Sequence, residues 1–285
     1  LDRALAQLAP EFSRSHLQGL VLAGHVRLDG QPCMLPARKL RAGQSLEVQL
    51  VPPAESRAFV PQAMPLAVVF EDAHLLVLDK PAGLVVHPAA GNWSGTLLNG
   101  LLARDPAAAR LPRAGIVHRL DKDTSGLMVV ARSLEAMTAL VRDIAARRVQ
   151  RRYQALVHGD PGREPFSVEA PIGRDPAVRV RMAVVPGGKP ARTDVEVVAH
   201  RAGVSALRCT LHTGRTHQIR VHLAWRGHPL LADALYGGKP ALGMARQALH
   251  AAELGLTHPI SGAMLAFERP APADLAAAWQ AVVSG

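Results

Sequence analysis

Cysteine is nearly absent from this chain: its 285 residues hold two, Cys33 and Cys209, and neither belongs to a CxxC pair. A disulfide framework and a cysteine-built zinc site are therefore disfavoured, and a reducing compartment, the cytoplasm, is expected. Long apolar runs are also missing, so nothing in the sequence reads as a membrane span. The opening "LDRALAQLAPEF" carries charges where a secretory signal would carry an apolar core. Neither GxGxxG nor a Walker pattern occurs, so no dinucleotide or nucleoside triphosphate is implied and no cofactor is expected. Aromatic residues are scarce at 4%, with Tyr153 and Tyr236 the two tyrosines. Lysine is scarce as well, at five residues.

Arginine is what the chain has in excess. Lys and Arg total 33 against 23 acidic residues, a net charge of +10. The guanidinium fork pairs bidentately with phosphate oxygens, so this balance favours a polyanionic partner such as a nucleic acid. A basic protein that needs charge for solubility alone is the bland alternative, and codon usage in a GC-rich genome would also enrich arginine. No long amphipathic helix with a basic face points to an anionic membrane.

Two unequal domains are expected at this length. Residues 1–51 read as a compact αβ module. In it "LDRALAQL" and "SRSHLQGLVLAG" have helical spacing, Asp29-Gly30 marks a hairpin, and "LRAGQSLEVQLV" alternates as a half-buried strand does. Residues 52–65 are rich in proline and read as a linker. From residue 66 to 285, strand-like segments follow one another with helices between and after them. They are "LAVVF", "LLVLD", "LMVVA", "YQALVHG", "TDVEVVA" and "GVSALRCTLHT". The absence of regular strand–helix alternation predicts an α+β domain with a mixed, largely antiparallel central sheet flanked by helices.

Four stretches could carry chemistry. In "GIVHRLDKDTSGLMVVA" (115–131), Asp121 lies beside His118, Arg119 and Lys122, ahead of an apolar strand. Gly126 permits a tight turn there and the strand anchors it, so the carboxylate is expected on a rigid loop. The cations around it favour the ionised form that a nucleophile or base requires. A salt-bridged surface loop is the alternative. Next, Arg142, Arg147, Arg148, Arg151 and Arg152 crowd in front of a strand opened by Tyr153. A basic stripe ending in an aromatic can hold backbone phosphates and stack a base; a solvated helix face with a core tyrosine is the alternative. In "LHTGRTHQIRVHLAWRGHPLLAD" (211–233), Thr216 can cap a helix from His217 to Arg226, with Gly227 as its stop. Arg215 and Arg220 then lie near a helix start that favours anions. His212, His217 and His222 are spaced by five, about 500° of rotation apart, so they share no face and no metal is expected. Lastly, Lys80-Pro81-Ala82-Gly83 fits a type I turn and reads as scaffold, and His87 as structural.

Together these motifs resemble one family. "HRLDKDTSGLMVVA", the tyrosine of "RRYQALVHG" and "TGRTHQIRVHLAWRGHPLLAD" are similar to the RluA-type pseudouridine synthases. "EDAHLLVLDKPAGLVVHPAAGN" and "RQALHAAELGLTHPISG" extend the likeness over nearly the whole chain, and residues 1–51 resemble an S4-like RNA-binding domain. "RAGIVHRLDKDTSGLMVVA" and "GGKPARTD" are most similar to the RluD-like branch. The resemblance implies an isomerase for uridine in 23S ribosomal RNA, at the helix 69 stem-loop, acting in ribosome biogenesis as a cytoplasmic monomer without metal or cofactor. It implies that Asp121 is catalytic, by attack on the sugar or by removal of a sugar proton. It further implies that Arg220 pairs with Asp121, that Tyr153 lies against the base and assists proton transfer, and that Arg119 enters the helix as the uridine swings out. Arg147, Arg148, Arg151, Arg152 and Arg215 are the expected phosphate contacts. The five residues between "YGGKP" (236–240) and "RQALHA" (246–251) are fewer than that branch carries. Another ribosomal or transfer RNA site therefore stays open, as does a non-catalytic RNA-binding assembly factor.

Overall fold

The computed structural model describes residues 1–51, 54–178 and 180–284. The chain divides into two compact units, Leu1–Ala58 and the remainder from Phe59 onward. Pro52 and Pro53, in the expected linker, lie outside the described residues.

In the first unit, helices α1 (Asp2–Leu8) and α2 (Arg14–Leu22) precede strands β1 (Val26–Leu28), β2 (Gln31–Pro32) and β3 (Leu46–Val48). Ser13 caps α2 by accepting the His16 amide at 3.2 Å, which satisfies one of the free N–H groups at the helix start. Asp29 and Gly30 both take positive φ, 52° and 75°, the backbone that a two-residue hairpin between β1 and β2 needs. Leu5, Leu17, Leu20, Val21 and Val26 form the core of this unit. The alternating pattern of residues 40–51 yields only the three-residue β3.

The second unit is built on a nine-stranded sheet. Its strands are β4 (Ala67–Glu71), β5 (Leu75–Lys80), β6 (Ser125–Ala131), β7 (Gln150–His158), β8 (Phe166–Glu169), β11 (Arg192–Arg201), β12 (Val204–Leu211), β13 (Leu249–Thr257) and β14 (Met264–Glu268). The order is β4-β5-β6-β13-β7-β12-β11-β8, with β14 also on β13. All of these pairings are antiparallel except β6 with β13. A separate pair is formed by β9 (Ile172–Arg174) and β10 (Met182–Val184). Helices α3 (Leu97–Arg104), α4 (Leu134–Ala145), α5 (Gln218–Trp225) and α6 (Ala273–Val283) flank the sheet. Strand alternation assigns the faces: Leu76 and Leu78 of β5 pack with α3 and α5, while Leu75 and Val77 pack with α4. The expected α+β architecture is the observed one. Among the described residues no helix is long and apolar enough to cross a membrane.

Three local readings need correction. The helix before β7 stops at Ala145, and Arg147 takes a left-handed φ of 61°, so the arginines of 142–152 lie on a helix, a turn and a strand rather than along one stripe. Helix α5 is not capped by Thr216; His217 occupies the cap position at φ 56° without a capping side chain. Gln218 reaches back instead, accepting from the Arg215 amide at 3.0 Å and the Thr213 hydroxyl at 2.7 Å, and so fixes the turn before the helix. Gly126 lies within β6 rather than in a turn. A Cβ there would meet the Ala251 carbonyl oxygen at 2.2 Å, so glycine is required by the close parallel approach of β13.

Candidate active site

The loop from His118 to Thr124 enters β6 at the centre of the sheet, and its backbone is fastened from several sides. Lys80, at the end of β5, is buried and donates to three carbonyls: Pro81 at 2.7 Å, Leu84 at 2.9 Å and Lys122 at 3.0 Å. The Gly83 amide donates to the same Lys122 carbonyl at 2.9 Å. Burial pushes the Lys80 ammonium down to about 8, against the attraction of Asp123 and Asp121. His118 accepts the Val129 amide through Nε2 at 3.0 Å. Burial first, and the neighbouring Arg151 second, push His118 down to about 3, so it is a neutral acceptor. From the far side Arg246 donates to the Asp123 carbonyl at 2.9 Å and Gln247 to the Thr124 hydroxyl at 3.0 Å. The segment is thus rigid before any ligand arrives.

Asp121 projects from this frame. Its Oδ2 accepts from Arg220 Nη1 at 3.0 Å. Arg220, on the first turn of α5, spends its other edge on Asp233, with Nε to Oδ2 at 2.7 Å and Nη2 to Oδ1 at 2.8 Å. Side-chain exposure separates the roles: 15% for Asp121 against 7% for Arg220 and 1% for Asp233. The carboxylate reaches solvent and its partners do not. Burial opposes the Arg220 charge, but the hydrogen bonds and charges of Asp233 and Asp121 outweigh it and hold the guanidinium ionised. Because Asp233 takes two of its bonds, Arg220 aims Asp121 without fully neutralising it. Tyr236 lies under the Arg220 guanidinium, 5.0 Å from ring centroid to Cζ.

Tyr153 is buried on β7 between Cys209 of β12 and Ala251 of β13, facing the same core as α5. Burial pushes its phenol up to about 12, with Arg151 pulling down and Asp121 pushing up, so Tyr153 is an uncharged hydroxyl near neutral pH. Asp121, Tyr153 and Arg220 therefore share one electrostatic neighbourhood. Arg119 is exposed in the same loop.

The remaining arginines are dispersed. Arg148 pairs with Asp143, Arg152 with Glu253 at 3.0 Å, and Arg215 donates to the Pro190 carbonyl at 3.0 Å. Arg151 departs from the expected surface role: at 4% exposure it is buried, its Nη2 reaches the Leu211 carbonyl at 3.4 Å, and its Nε has no partner among the described residues. The three histidines of 211–222 are engaged separately. His212 contacts Asp194 at 2.6 Å, His217 contacts Tyr236 at 2.9 Å, and His222 contacts Thr193 at 2.9 Å. Sequence reasoning placed Lys80 in a scaffold turn without foreseeing its burial, and gave no role to Asp233 or Tyr236. A signal for Asp233 was available, since a buried arginine commonly has a carboxylate partner and "LLAD" (230–233) comes soon after the helix.

Arg220 thus holds a solvent-reaching carboxylate at Asp121, and the charge of that carboxylate acts on the buried, neutral phenol of Tyr153. Comparison with known proteins specifies it further. The pattern of a family described as RNA pseudouridylate synthase matches residues 74–225, and that of the S4 domain matches residues 1–46. A ribosomal large subunit pseudouridine synthase D from Nitrosomonas europaea is 49% identical over 290 residues, spanning 99% of this chain and 84% of its own length. One from Neisseria meningitidis serogroup B is 50% identical, spanning 96% of this chain and 76% of its own. Among solved structures, human RNA Pseudouridylate Synthase Domain Containing 1 superposes with a TM-score of 0.59 at 27% identity, covering 81% of this chain and 91% of that one. The chain belongs to the RNA pseudouridylate synthase family, and its activity is the isomerisation of uridine to pseudouridine in RNA.

Proposed function

We propose that this enzyme modifies uridine in 23S ribosomal RNA, at the helix 69 stem-loop, with Asp121 as its catalytic carboxylate. The observation that carries the catalytic assignment is the 3.0 Å bond from a buried Arg220 to a carboxylate that still reaches solvent. The reaction breaks the bond from ribose C1′ to uracil N1, turns the uracil, and joins C1′ to C5. The hydrogen on C5 is released and N1 gains one. Attack on C1′ and removal of a ribose proton both require an ionised oxygen, which Arg220 favours at Asp121. A base within a helix must leave its stack before its sugar is reached, and exposed Arg119 is placed to enter as the nucleotide swings out. Tyr153 then packs against the uracil. Its phenol, at about 12, suits contact and hydrogen bonding rather than service as a base.

The large-subunit target is supported by the names of relatives that match nearly the whole chain. We assign residues 1–51 to RNA binding, 52–65 to a connection and 66–285 to catalysis, in a cytoplasmic monomer. Arg147, Arg148, Arg152 and Arg215 are assigned to phosphates; buried Arg151 is set apart. The five residues 241–245 favour a second reading, another ribosomal or transfer RNA site, because a short connection offers less surface for choosing a substrate. The test is incubation of purified protein with a helix 69 transcript, followed by pseudouridine mapping. Product in the loop supports the first reading. An unmodified helix 69, with product in other segments of the same rRNA, selects the second.

A further inference from the structure

The free oxygen of Asp121 has a neighbour that the assignment above leaves idle. His217 Nε2 lies 3.9 Å from Asp121 Oδ1, the oxygen that Arg220 does not touch. His217 Nδ1 is 2.9 Å from the Tyr236 hydroxyl, which also accepts the Met182 amide at 3.0 Å. The two rings meet edge to face, at 84° and 5.8 Å between centroids.

Hydrogen-bond accounting at Tyr236 favours one assignment of the protons. The Tyr236 oxygen accepts from the Met182 amide, so its own proton needs an acceptor, and among the described residues Nδ1 of His217 is the one within reach. An imidazole that accepts at Nδ1 while neutral carries its hydrogen on Nε2, the nitrogen facing Asp121. Protonating His217 would turn both ring nitrogens into donors and leave the Tyr236 hydroxyl proton without that acceptor. The groups around the ring are Asp121 and Arg119 from the loop, Arg220 from α5, and Asp233 and Tyr236 from the segment after it. Burial is the largest influence and disfavours the imidazolium.

We propose that His217, locked by Tyr236 as the Nε2–H tautomer, is a positioning residue for Asp121: it donates to Oδ1 while Arg220 holds Oδ2, and the two together set the plane of the carboxylate. The proposal rests on the catalytic reading of Asp121. The present 3.9 Å separation is longer than a hydrogen bond, and such contacts commonly tighten once substrate is bound. A neutral donor is the fitting choice. A second cation would draw charge from the oxygen that must react, whereas an uncharged N–H orients it at smaller electrostatic cost. His217 takes this place from left-handed backbone, φ 56°, at the cap position of α5.

The test uses the full chain, a transcript of large-subunit rRNA that the enzyme modifies, single-turnover pseudouridine formation and separately measured RNA affinity. His217→Asn tolerates left-handed backbone and keeps a polar atom near the Nδ1 position, but has nothing at Nε2. Its rate should fall about tenfold, the loss of one neutral hydrogen bond, with Kd unchanged. His217→Gln places an amide nitrogen at the reach of Nε2 and should recover part of that rate. Tyr236→Phe frees Nδ1 for a proton, so the acid limb of its rate profile should move to higher pH. His217→Asn, which has nothing to titrate there, should show no such movement. An unchanged rate in His217→Asn, a loss carried by Kd, or an unmoved acid limb in Tyr236→Phe would each overturn the proposal. Asp121→Asn, run alongside, separates the two levels: if it turns over normally the catalytic reading fails, and if it is dead while His217→Asn is normal only the role of His217 fails.

Discussion

Residues 118–125 and 142–152 are both short, charged stretches entering a central strand, and they end in opposite conditions. The first is fastened through its backbone by Lys80, Gly83, Arg246 and a Gln247–Thr124 bond, and it holds Asp121 against Arg220. The second is spread over a helix end, a left-handed turn and a strand, with its guanidinium groups paired singly or facing solvent. The difference lies in what meets each stretch from elsewhere in the chain. Donor groups of Lys80, Gly83, Arg246 and Gln247 converge on the first from positions distant in sequence, while the second meets Asp143 nearby and single groups of Leu211 and Glu253 farther off. Chemistry needs the former, because a reacting oxygen displaced by about 1 Å loses much of its advantage. Holding a flexible polyanion tolerates the latter.

The largest effect should come from Asp121, the acid of the rigid loop that Arg220 holds. Asp121→Asn is isosteric and keeps a contact to Arg220, so folding and RNA affinity should persist while pseudouridine formation falls by about 10²–10⁴-fold. Substantial turnover in that variant would remove the functional distinction between the two stretches. Lys80→Met should come next. It removes the donor that three carbonyls share, of which the Lys122 carbonyl keeps the Gly83 amide, and should lower stability by on the order of 2 kcal/mol, read by denaturant melts, with activity falling as the loop loosens. Titration adds a signed check. The unfolded ammonium holds its proton up to its ordinary 10.5, whereas the folded one releases it from about 8. Between those values the unfolded state binds more protons, so this lysine makes stability rise with pH, and the rise should be missing in Lys80→Met.

Much of this architecture was legible because it is local. The Asp29-Gly30 hairpin, the apolar run of β6 and the helix of α6 follow from turn chemistry and periodicity within a few residues. Asp121, Tyr153 and Arg220 were singled out one by one from their surroundings, but their joint role came through resemblance, and the Arg220–Asp121 contact spans 99 positions that no pattern of spacing could close. What was missed is non-local in the same way. A lysine in a turn reads as scaffold, but its burial shows only when a carbonyl 42 positions away meets it. Thr216 had the chemistry of a cap, but the turn that Gln218 fixes starts the helix one residue later, with His217 at the cap position. The arginine stripe was misread because a count of charges along the sequence does not distinguish a helix face from a helix end followed by a strand.

Arg151 sharpens the comparison from inside the basic stretch. It is buried, its Nε is unpartnered, and no carboxylate pairs with it among the described residues. Burial lowers its affinity for the proton, which marks a charge held at a cost. Arg151→Met keeps the length of the side chain and removes that cost, so stability should rise by about 1 kcal/mol, a higher melting temperature. RNA binding should keep its salt dependence, since a buried guanidinium releases no phosphate counterion. A shallower salt response in this variant would instead mean that RNA reaches the residue, and Arg151 would return to the phosphate-contacting group.

The smallest effect belongs to Arg147, exposed at the end of α4 and without an ion pair among the described residues. A single exposed cation contributes to RNA binding mainly through the counterion that it displaces, so Arg147→Ala should weaken binding several-fold without changing the single-turnover rate. The slope of log affinity against log salt should shrink by about 0.7–0.9, one phosphate's share. Arg148→Ala should shrink it less, because Arg148 must first leave Asp143, and the variant loses a partly compensated contact. If both leave the slope untouched, the basic stretch is a solvated face and no more, and the RNA track must be sought on other arginines.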